Sequence, residues 1–326
     1  MFKVDNISLT HIACAIPRNK INQSDWLEVF SKEEVERTTT ITGINSLRSV
    51  SGNTTTIDLA IAAVEVILEK HPEIRSEING VVFASQTFSQ YMPSTAILLH
   101  KKLGLPRSAF AIDMNSGCAA YPNAIGEAAA LIAAGIATKV LVITADTLTR
   151  FIDPGDRATL MVFGDGAAAT IIEKGNQQVA GDFMVDGSGQ DKIYRNFSAV
   201  GVDDFVHMNG LEVLKFTLTE IPDFILGFFA SSGLKPNKVK DIYFHQANRL
   251  IVEKLTEKVS ILNANCPIAV DGFGNTGPSS IPIAICASNK DRSFGLTAFV
   301  GFGVGWSWGI VLADLSTTNL YPIKEI

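Results

Sequence analysis

Charge is scarce in this chain: Asp, Glu, Lys and Arg make up 18% of its 326 residues, against about 25% in an ordinary soluble domain. Hydrophobic residues reach 47%, so a large share of the surface must be hidden. That implies a many-layered interior, a broad face against another subunit, or both, and both are expected. The charge present sums to −6, which supports neither nucleic-acid nor anionic-membrane binding. Cysteine is sparse as well. Cys14, Cys118, Cys266 and Cys286 show neither metal-ligand spacing nor a disulfide framework, which predicts reduced thiols, no metal and a cytoplasmic protein. There is no Walker loop and no GxGxxG between a strand and a helix, so nucleotide hydrolysis and hydride transfer lose support and no cofactor is expected. The N-terminal MFKVDNISLT lacks the apolar run of a signal peptide. One charge-free span, Ser293 to Ala313, is long enough for a membrane helix, but Gly295, Gly301, Gly303, Gly305 and Gly309 suit two buried strands joined by a glycine loop better.

What is present is an alternation of strands and helices. Val4 to Ala15, Gly80 to Ser85, Phe110 to Asp113 and Lys139 to Ala145 read as strands. Gln23 to Val35 suggests short helices, Thr54 to Thr56 can cap a helix, another starts at Ser94, and a long one follows Cys118. Leu160 to Glu173 is expected to hold the turn Phe163-Gly164-Asp165-Gly166 inside a strand pair. This rhythm implies an α/β fold. The second half then echoes the first. FAIDMNSGCAA from Phe110 and PIAVDGFGNTGPSS from Pro267 both read as strand, glycine turn and small-residue helix, placing Asn275 where Cys118 was. FGDGAAATII from Phe163 has a counterpart in FGVGWSWGIV from Phe302. Two copies of one layered unit are therefore expected, at residues 1–173 and 177–326.

In such a duplication the strand ends of both halves meet, and Cys118, His245 and Asn275 can share a pocket. Cys118 lies where a strand becomes a helix, a position whose unpaired N–H groups and dipole favour a thiolate. His245, in DIYFHQAN, ends an apolar strand, and Asn248 is placed to cap the helix that follows. Each residue has an ordinary structural explanation alone: a buried thiol, a satisfied polar group, a turn asparagine, and for Gly301 to Gly305 a strand bend. Together they are the parts of acyl transfer through a thioester, namely a nucleophilic sulfur, an imidazole, an amide donor and exposed backbone N–H groups.

Cys118 in NSGCAAY, His245 in HQAN, Asn275 in GNTG, FGDGAAA at Phe163 and GFGVGWSWG at Gly301 together resemble the β-ketoacyl-ACP synthase III family of the thiolase superfamily, end to end and in the family's order. The resemblance implies a duplicated thiolase-like α/β fold, homodimers of five-layer αβαβα subunits, and a Cys118-His245-Asn275 triad. It implies ping-pong chemistry: acylation of Cys118, with the oxyanion on the backbone N–H groups of Cys118 and Val304, then decarboxylative condensation with malonyl-ACP. Phe302 would pack near the thiol, and Met92 would wall the partner subunit's acyl pocket. Arg157, closing Asp153-Pro154-Gly155-Asp156-Arg157, would contact the donor.

Two departures concern that donor. Where the family carries a Trp and an Arg ahead of Thr42-Gly43-Ile44, this chain has Arg37 and Ile41, and Leu211 stands where a polar residue often lines the pantetheine path. The donor is accordingly left open between acyl-CoA and acyl-ACP. Arg249, Lys254 and Lys258 on one helix, preceded by Lys235, Lys238 and Lys240, are candidates for docking an acidic carrier protein, with a solvated helix face as the alternative. Two competing readings are acyl transfer to an oxygen or nitrogen acceptor and an inactive partner subunit. Intact Asn275 speaks against the first, and intact Cys118 and His245 against the second.

Overall fold

The structure, a computed structural model, describes residues 1–196, 204–288 and 293–326. Its principal strands are β1 (Phe2–Ile16), β2 (Gly80–Ala84), β3 (Phe110–Met114), β4 (Lys139–Asp146), β5 (Gly166–Val185), β6 (Asp241–Phe244), β7 (Leu296–Gly303) and β8 (Ser307–Asp314). They hydrogen-bond in the order β6-β7-β8-β5-β4-β2-β3, with β1 antiparallel to β5. The main helices are α1 (Lys32–Thr42), α2 (Thr56–Leu68), α3 (Thr95–Lys102), α4 (Ala120–Ala133), α5 (Gly210–Ser232), α6 (Arg249–Lys258) and α7 (Ser280–Ala287).

The layering follows from the two-residue period of the strands, which sends successive side chains to opposite faces. Val81, Phe83, Leu141 and Ile143 pack with Leu59, Ala63 and Ile67 of α2 and Leu99 of α3. Their neighbours Val82, Val140 and Val142 face the other way, into a core holding Ile125 and Ala129 of α4, Ile283 of α7, and Tyr243, Phe299 and Val311 from the later strands. Ile242, Phe244 and Val300 turn outward again, onto Ile225 and Phe228 of α5 and Val252 and Leu255 of α6. Reading across, the order is helices, strands, α4 with α7, strands, helices. Both faces of each strand layer are covered, which is why the strands read as continuous apolar runs.

Local signals set the helix starts. Thr55 and Asp58 cap α2 reciprocally, Asn248 Oδ1 accepts the Ile251 N–H at the start of α6 (2.9 Å), and Asp113 of β3 accepts the Thr95 and Ala96 N–H groups opening α3 (2.8 and 2.7 Å). The charge-free span from Ser293 contains β7 and β8, an antiparallel pair joined by a glycine turn. No helix among the described residues is long and apolar enough to cross a membrane.

Strand β5 runs unbroken across residues 173–177, pairing β4 over Gly166–Glu173 and β8 over Ala180–Val185. Two expectations need amendment. The Phe163 to Gly166 turn leads from the short helix Arg157–Leu160 into β5 rather than lying within a strand pair, because its backbone bonds go elsewhere: Gly164 N–H to the Asn275 carbonyl (2.9 Å) and Asp165 N–H to the Arg48 carbonyl (2.8 Å). Pro267 to Val270 is not a strand. Pro267 has no N–H to give, and the Gln246 side chain takes over the pairing, accepting the Ala269 N–H (2.8 Å) while its amide donates to the Phe244 carbonyl (2.7 Å) and the Pro267 carbonyl (3.4 Å).

Candidate active site

Cys118 sits in a single 3-10 turn, Gly117–Ala119, between β3 and α4. Gly117 has φ +52°, and a Cβ there would lie 2.8 Å from Val304 Cβ, so both conformation and space call for glycine. On the opposite side the end of β7 comes in close. A Cβ on Gly301 would lie 2.9 Å from Ala119 Cα and 3.0 Å from the Cys118 carbonyl oxygen, and one on Gly303 would lie 3.1 Å from Cys118 Cβ and 3.5 Å from Sγ. The glycine loop is therefore more than a bend: it lets one backbone lie against the turn that carries the sulfur.

His245 follows β6, tied by its N–H to the Val300 carbonyl (2.8 Å). Its Nδ1 meets Ser280 Oγ at the start of α7 (2.7 Å), and Phe302 stands edge-on to the ring at 5.5 Å between centroids. Asn275 is held by its backbone, donating to the Val162 carbonyl (2.8 Å) and accepting from Gly164. Its Oδ1 accepts the Gly277 N–H (3.0 Å), which fixes the amide orientation and leaves the NH2 group as the donor. Gly164 completes this clasp: a Cβ there would lie 2.1 Å from the Phe273 carbonyl oxygen.

Cys118, His245 and Asn275 line one cavity of about 650 Å³, together with Phe302 and Val304. Burial governs its electrostatics. It pushes the Cys118 thiol up to about 12, with the Asp146 carboxylate adding to the effect, and draws His245 down to about 3 against the opposing effect of a hydrogen bond that the ring donates to the Gly277 backbone. The expectation that the helix start brings the thiol toward neutrality is thus overturned. Cys118 is 6% exposed, and loss of water around a thiolate outweighs the partial charge of a helix end. At neutral pH the resting pair is a thiol and an uncharged imidazole.

The other expected site residues divide. Arg157, Arg37 and Ile41 line the cavity, and Arg157 is paired with Glu34 (2.8 Å). Leu211 is 73% exposed and does not line the cavity, although Gly210 and Val213 do. Met92 is 82% exposed, beside the equally open Tyr91, and is no part of the cavity within one chain. Arg249 is clasped against Gly43, the αL residue ending α1, with Nη2 3.4 Å from its carbonyl oxygen. Lys254 is paired with Glu257 (2.8 Å), and Lys258 is exposed on the same helix.

Gln246, Ser280 and Asp146 also shape the site and were not foreseen. The signal for Gln246 was its place inside HQAN, and for Ser280 its place directly after GNTGPS. Asp146 ends β4 in a run whose only other polar residue from Val140 on is Thr144, a buried acid of the kind that needs an explanation.

The chain matches the family model for 3-oxoacyl-[acyl-carrier-protein] synthase III over residues 112–187 and that family's C-terminal model over residues 229–315. It is 32% identical over 288 residues to the β-ketoacyl-[acyl-carrier-protein] synthase III of Streptococcus agalactiae serotype III, covering 84% of this chain and 88% of that one. Against the enzyme of the same name from Brucella melitensis biotype 2 it is 30% identical over 317 residues, covering 92% and 97%. The crystal structure of a 3-oxoacyl-(acyl-carrier protein) synthase from Burkholderia xenovorans superposes with a TM-score of 0.94 at 27% identity, covering 100% of this chain and 98% of that one.

Proposed function

Since the chain belongs to the 3-oxoacyl-[acyl-carrier-protein] synthase III family and is an acyltransferase of the condensing type with a thiolase-like fold, we propose that Cys118, His245 and Asn275 carry its two half-reactions. In the first, Cys118 Sγ bonds to the carbonyl carbon of a donor thioester, and the donor's carbon–sulfur bond breaks. The donor thiol leaves with the proton that Cys118 gave up. Backbone N–H groups of Cys118 and Val304 hold the oxyanion between these events. In the second, malonyl-ACP loses carbon dioxide, and the electron pair of the broken carbon–carbon bond passes into an enolate whose oxygen is held by His245 and the Asn275 NH2. The enolate carbon attacks the acyl carbonyl on Cys118, and the sulfur departs to give a β-ketoacyl product.

The observation that carries this reading is the joint lining of one cavity by the three side chains. The uncharged state of His245 supports its role as a donor to the enolate oxygen. Ser280 Oγ accepts the Gln246 N–H (3.2 Å) and can give its own proton to Nδ1, and in that tautomer the ring proton is on Nε2. Phe302, buried beside the ring, keeps water from the enolate. The test is carbon dioxide release from malonyl-ACP with Cys118→Ala and His245→Ala as controls. Release lost in His245→Ala and kept in Cys118→Ala is expected; no release from the wild-type chain overturns the proposal in favour of transfer to an oxygen or nitrogen acceptor.

Relatives named for the acyl carrier protein support a carrier-protein acceptor here. Its docking surface is proposed on α6, at Arg249, Lys254 and Lys258. For the donor, Arg37 and Arg157 bring guanidinium groups to the cavity lining while Ile41 offers it an apolar side chain, and an acyl-ACP or an unusual acyl-CoA is favoured over acetyl-CoA. Intact mass after incubation with each donor decides this, and rapid acylation from acetyl-CoA refutes it. A homodimer is proposed across the free edge of β3, where Ile112 is solvent-facing and Tyr91 and Met92 stand out nearby in the chain; this contact would turn Met92 into the neighbouring subunit's acyl pocket.

A further inference from the structure

Two of the four cysteines take no part in the site, yet the fold brings them together. Cys14 of β1 and Cys286 in the last turn of α7 are 272 positions apart in the chain, and their sulfurs lie 3.6 Å from one another. Both are free thiols. Cys14 is 0% and Cys286 6% exposed, inside the core that α4 and α7 fill. The Cys14 S–H donates to Cys286 Sγ, and the Cys286 S–H is directed at the Ile12 carbonyl oxygen (3.6 Å). Among the described residues no group of three His, Cys, Asp or Glu side chains could hold a metal ion, so the chemistry this pair offers is that of a dithiol.

Sulfurs already in contact need little movement to bond. A disulfide spans about 2.05 Å, which leaves about 1.5 Å of approach to be shared between side-chain rotation and a shift in packing. β1 is held along both edges, by β5 on one, with Cys14 opposite Ala168, and by Asn319–Leu320 and Lys324–Glu325 on the other. Any backbone shift therefore falls on α7, a helix of eight residues whose first, Ser280, holds the His245 ring. We propose that Cys14 and Cys286 form an oxidation site, at which a hydroperoxide converts the dithiol to a disulfide tying β1 to α7. Cys286 reacts first, being the more exposed and accepting a hydrogen bond that favours its thiolate. Its sulfur bonds to the outer oxygen of the hydroperoxide, the O–O bond breaks, and the departing oxygen takes up the proton that Cys286 released, leaving a sulfenic acid. Cys14 Sγ then bonds to Cys286 Sγ, the S–O bond breaks, and hydroxide leaves as water with the Cys14 proton. The two thiols give up two electrons, and the hydroperoxide is reduced to an alcohol and water. Burial, with the bond to Cys286, raises the Cys14 thiol well above its ordinary range, so it keeps its proton until that second step.

The inference stands apart from the synthase reading, and its test needs no turnover. The folded full-length protein is treated with hydrogen peroxide, remaining thiols are blocked with N-ethylmaleimide, and intact mass, peptide maps and thermal melts are recorded. The expected product has lost two hydrogen atoms and yields one cross-linked peptide pair holding Cys14 and Cys286. Because the link constrains the unfolded chain across a long loop, it should melt several degrees above the reduced protein, and dithiothreitol should reverse both changes. Cys118→Ala should behave as the wild type. Cys14→Ser should stop at a Cys286 sulfenic acid captured by dimedone, and Cys286→Ser should give no capture at Cys14. The wild-type map needs no variant, so misfolding of either one leaves the test intact. Oxygen added at Cys118 or Cys266 without loss of two hydrogens overturns the inference, as does a link that includes either of them, forms only in urea, or lowers the melting temperature.

Discussion

The two glycines that end β7 make different demands, and substituting each by alanine separates folding from chemistry. A methyl on Gly301 would come within 2.9 Å of Ala119 Cα and of Pro122 Cγ, and 3.0 Å of the Cys118 carbonyl oxygen. Carbon atoms pack comfortably at about 3.5–4.0 Å, so the overlap is roughly half an ångström or more on three sides, two of them backbone that no rotamer change can move. Overpacking of this kind costs about 1–3 kcal/mol, which for a chain of this size lowers the melting temperature by a few degrees. The nearest atoms to a methyl on Gly303 all belong to Cys118, with Cβ at 3.1 Å and Sγ at 3.5 Å. Relief takes a shift of a few tenths of an ångström in the Cys118 turn, against three closer contacts at Gly301, so Gly303→Ala should cost less than Gly301→Ala, about 1 kcal/mol. The displaced sulfur nevertheless leaves its attacking geometry, and acylation should slow by about tenfold or more. The assay pairs thermal melts with the rate of acyl-enzyme formation by intact mass. Gly301→Ala matching the wild type in both would refute the close-approach account and return the loop to a plain strand bend.

Other outcomes follow from burial and from the Gln246 clamp. The folded pKa of His245 lies below its unfolded value, so the stability it confers is present above about pH 6.5 and is lost as pH falls toward about 3. Between pH 7.5 and 5.5 the wild type should lose about 1.4 kcal/mol relative to His245→Gln in urea unfolding. Asp146 and Asp165, whose raised values act in the opposite sense, are common to both proteins and cancel. An unchanged gap would mean that the ring is charged or hydrated in the folded chain. Gln246→Ala should destabilise by about 1–3 kcal/mol, because the Ala269 N–H loses its acceptor; calorimetry showing no loss would mean that another group can hold Pro267 to Ala269. Ser280→Ala frees His245 Nδ1, and should lower decarboxylation kcat about tenfold with little change in KM; an unchanged kcat would remove Ser280 from the orientation of the ring.

Helix starts, the apolar strands and the position of Cys118 at a strand-to-helix turn were all legible in the chain, because each depends on contacts within a few residues. Thr55 caps with Asp58 three positions on, Asn248 caps with Ile251, and the alternation of Val81 to Ala84 is itself the instruction to face two cores. The motifs likewise identified the three side chains that share the cavity. What the linear order could not express was anything decided by burial or by partners far away in sequence. The same Cys118 that local dipole reasoning places near neutrality is driven the other way by the layers closed over it, and the strand expected at Pro267 is replaced by a bond to Gln246, 23 residues upstream. Leu211 lies one residue from the cavity lining yet faces away from it, and the loop with Met92 projects into solvent. Desolvation and long-range hydrogen bonding are properties of the packed whole, so only the folded chain assigns the charge on each reacting group.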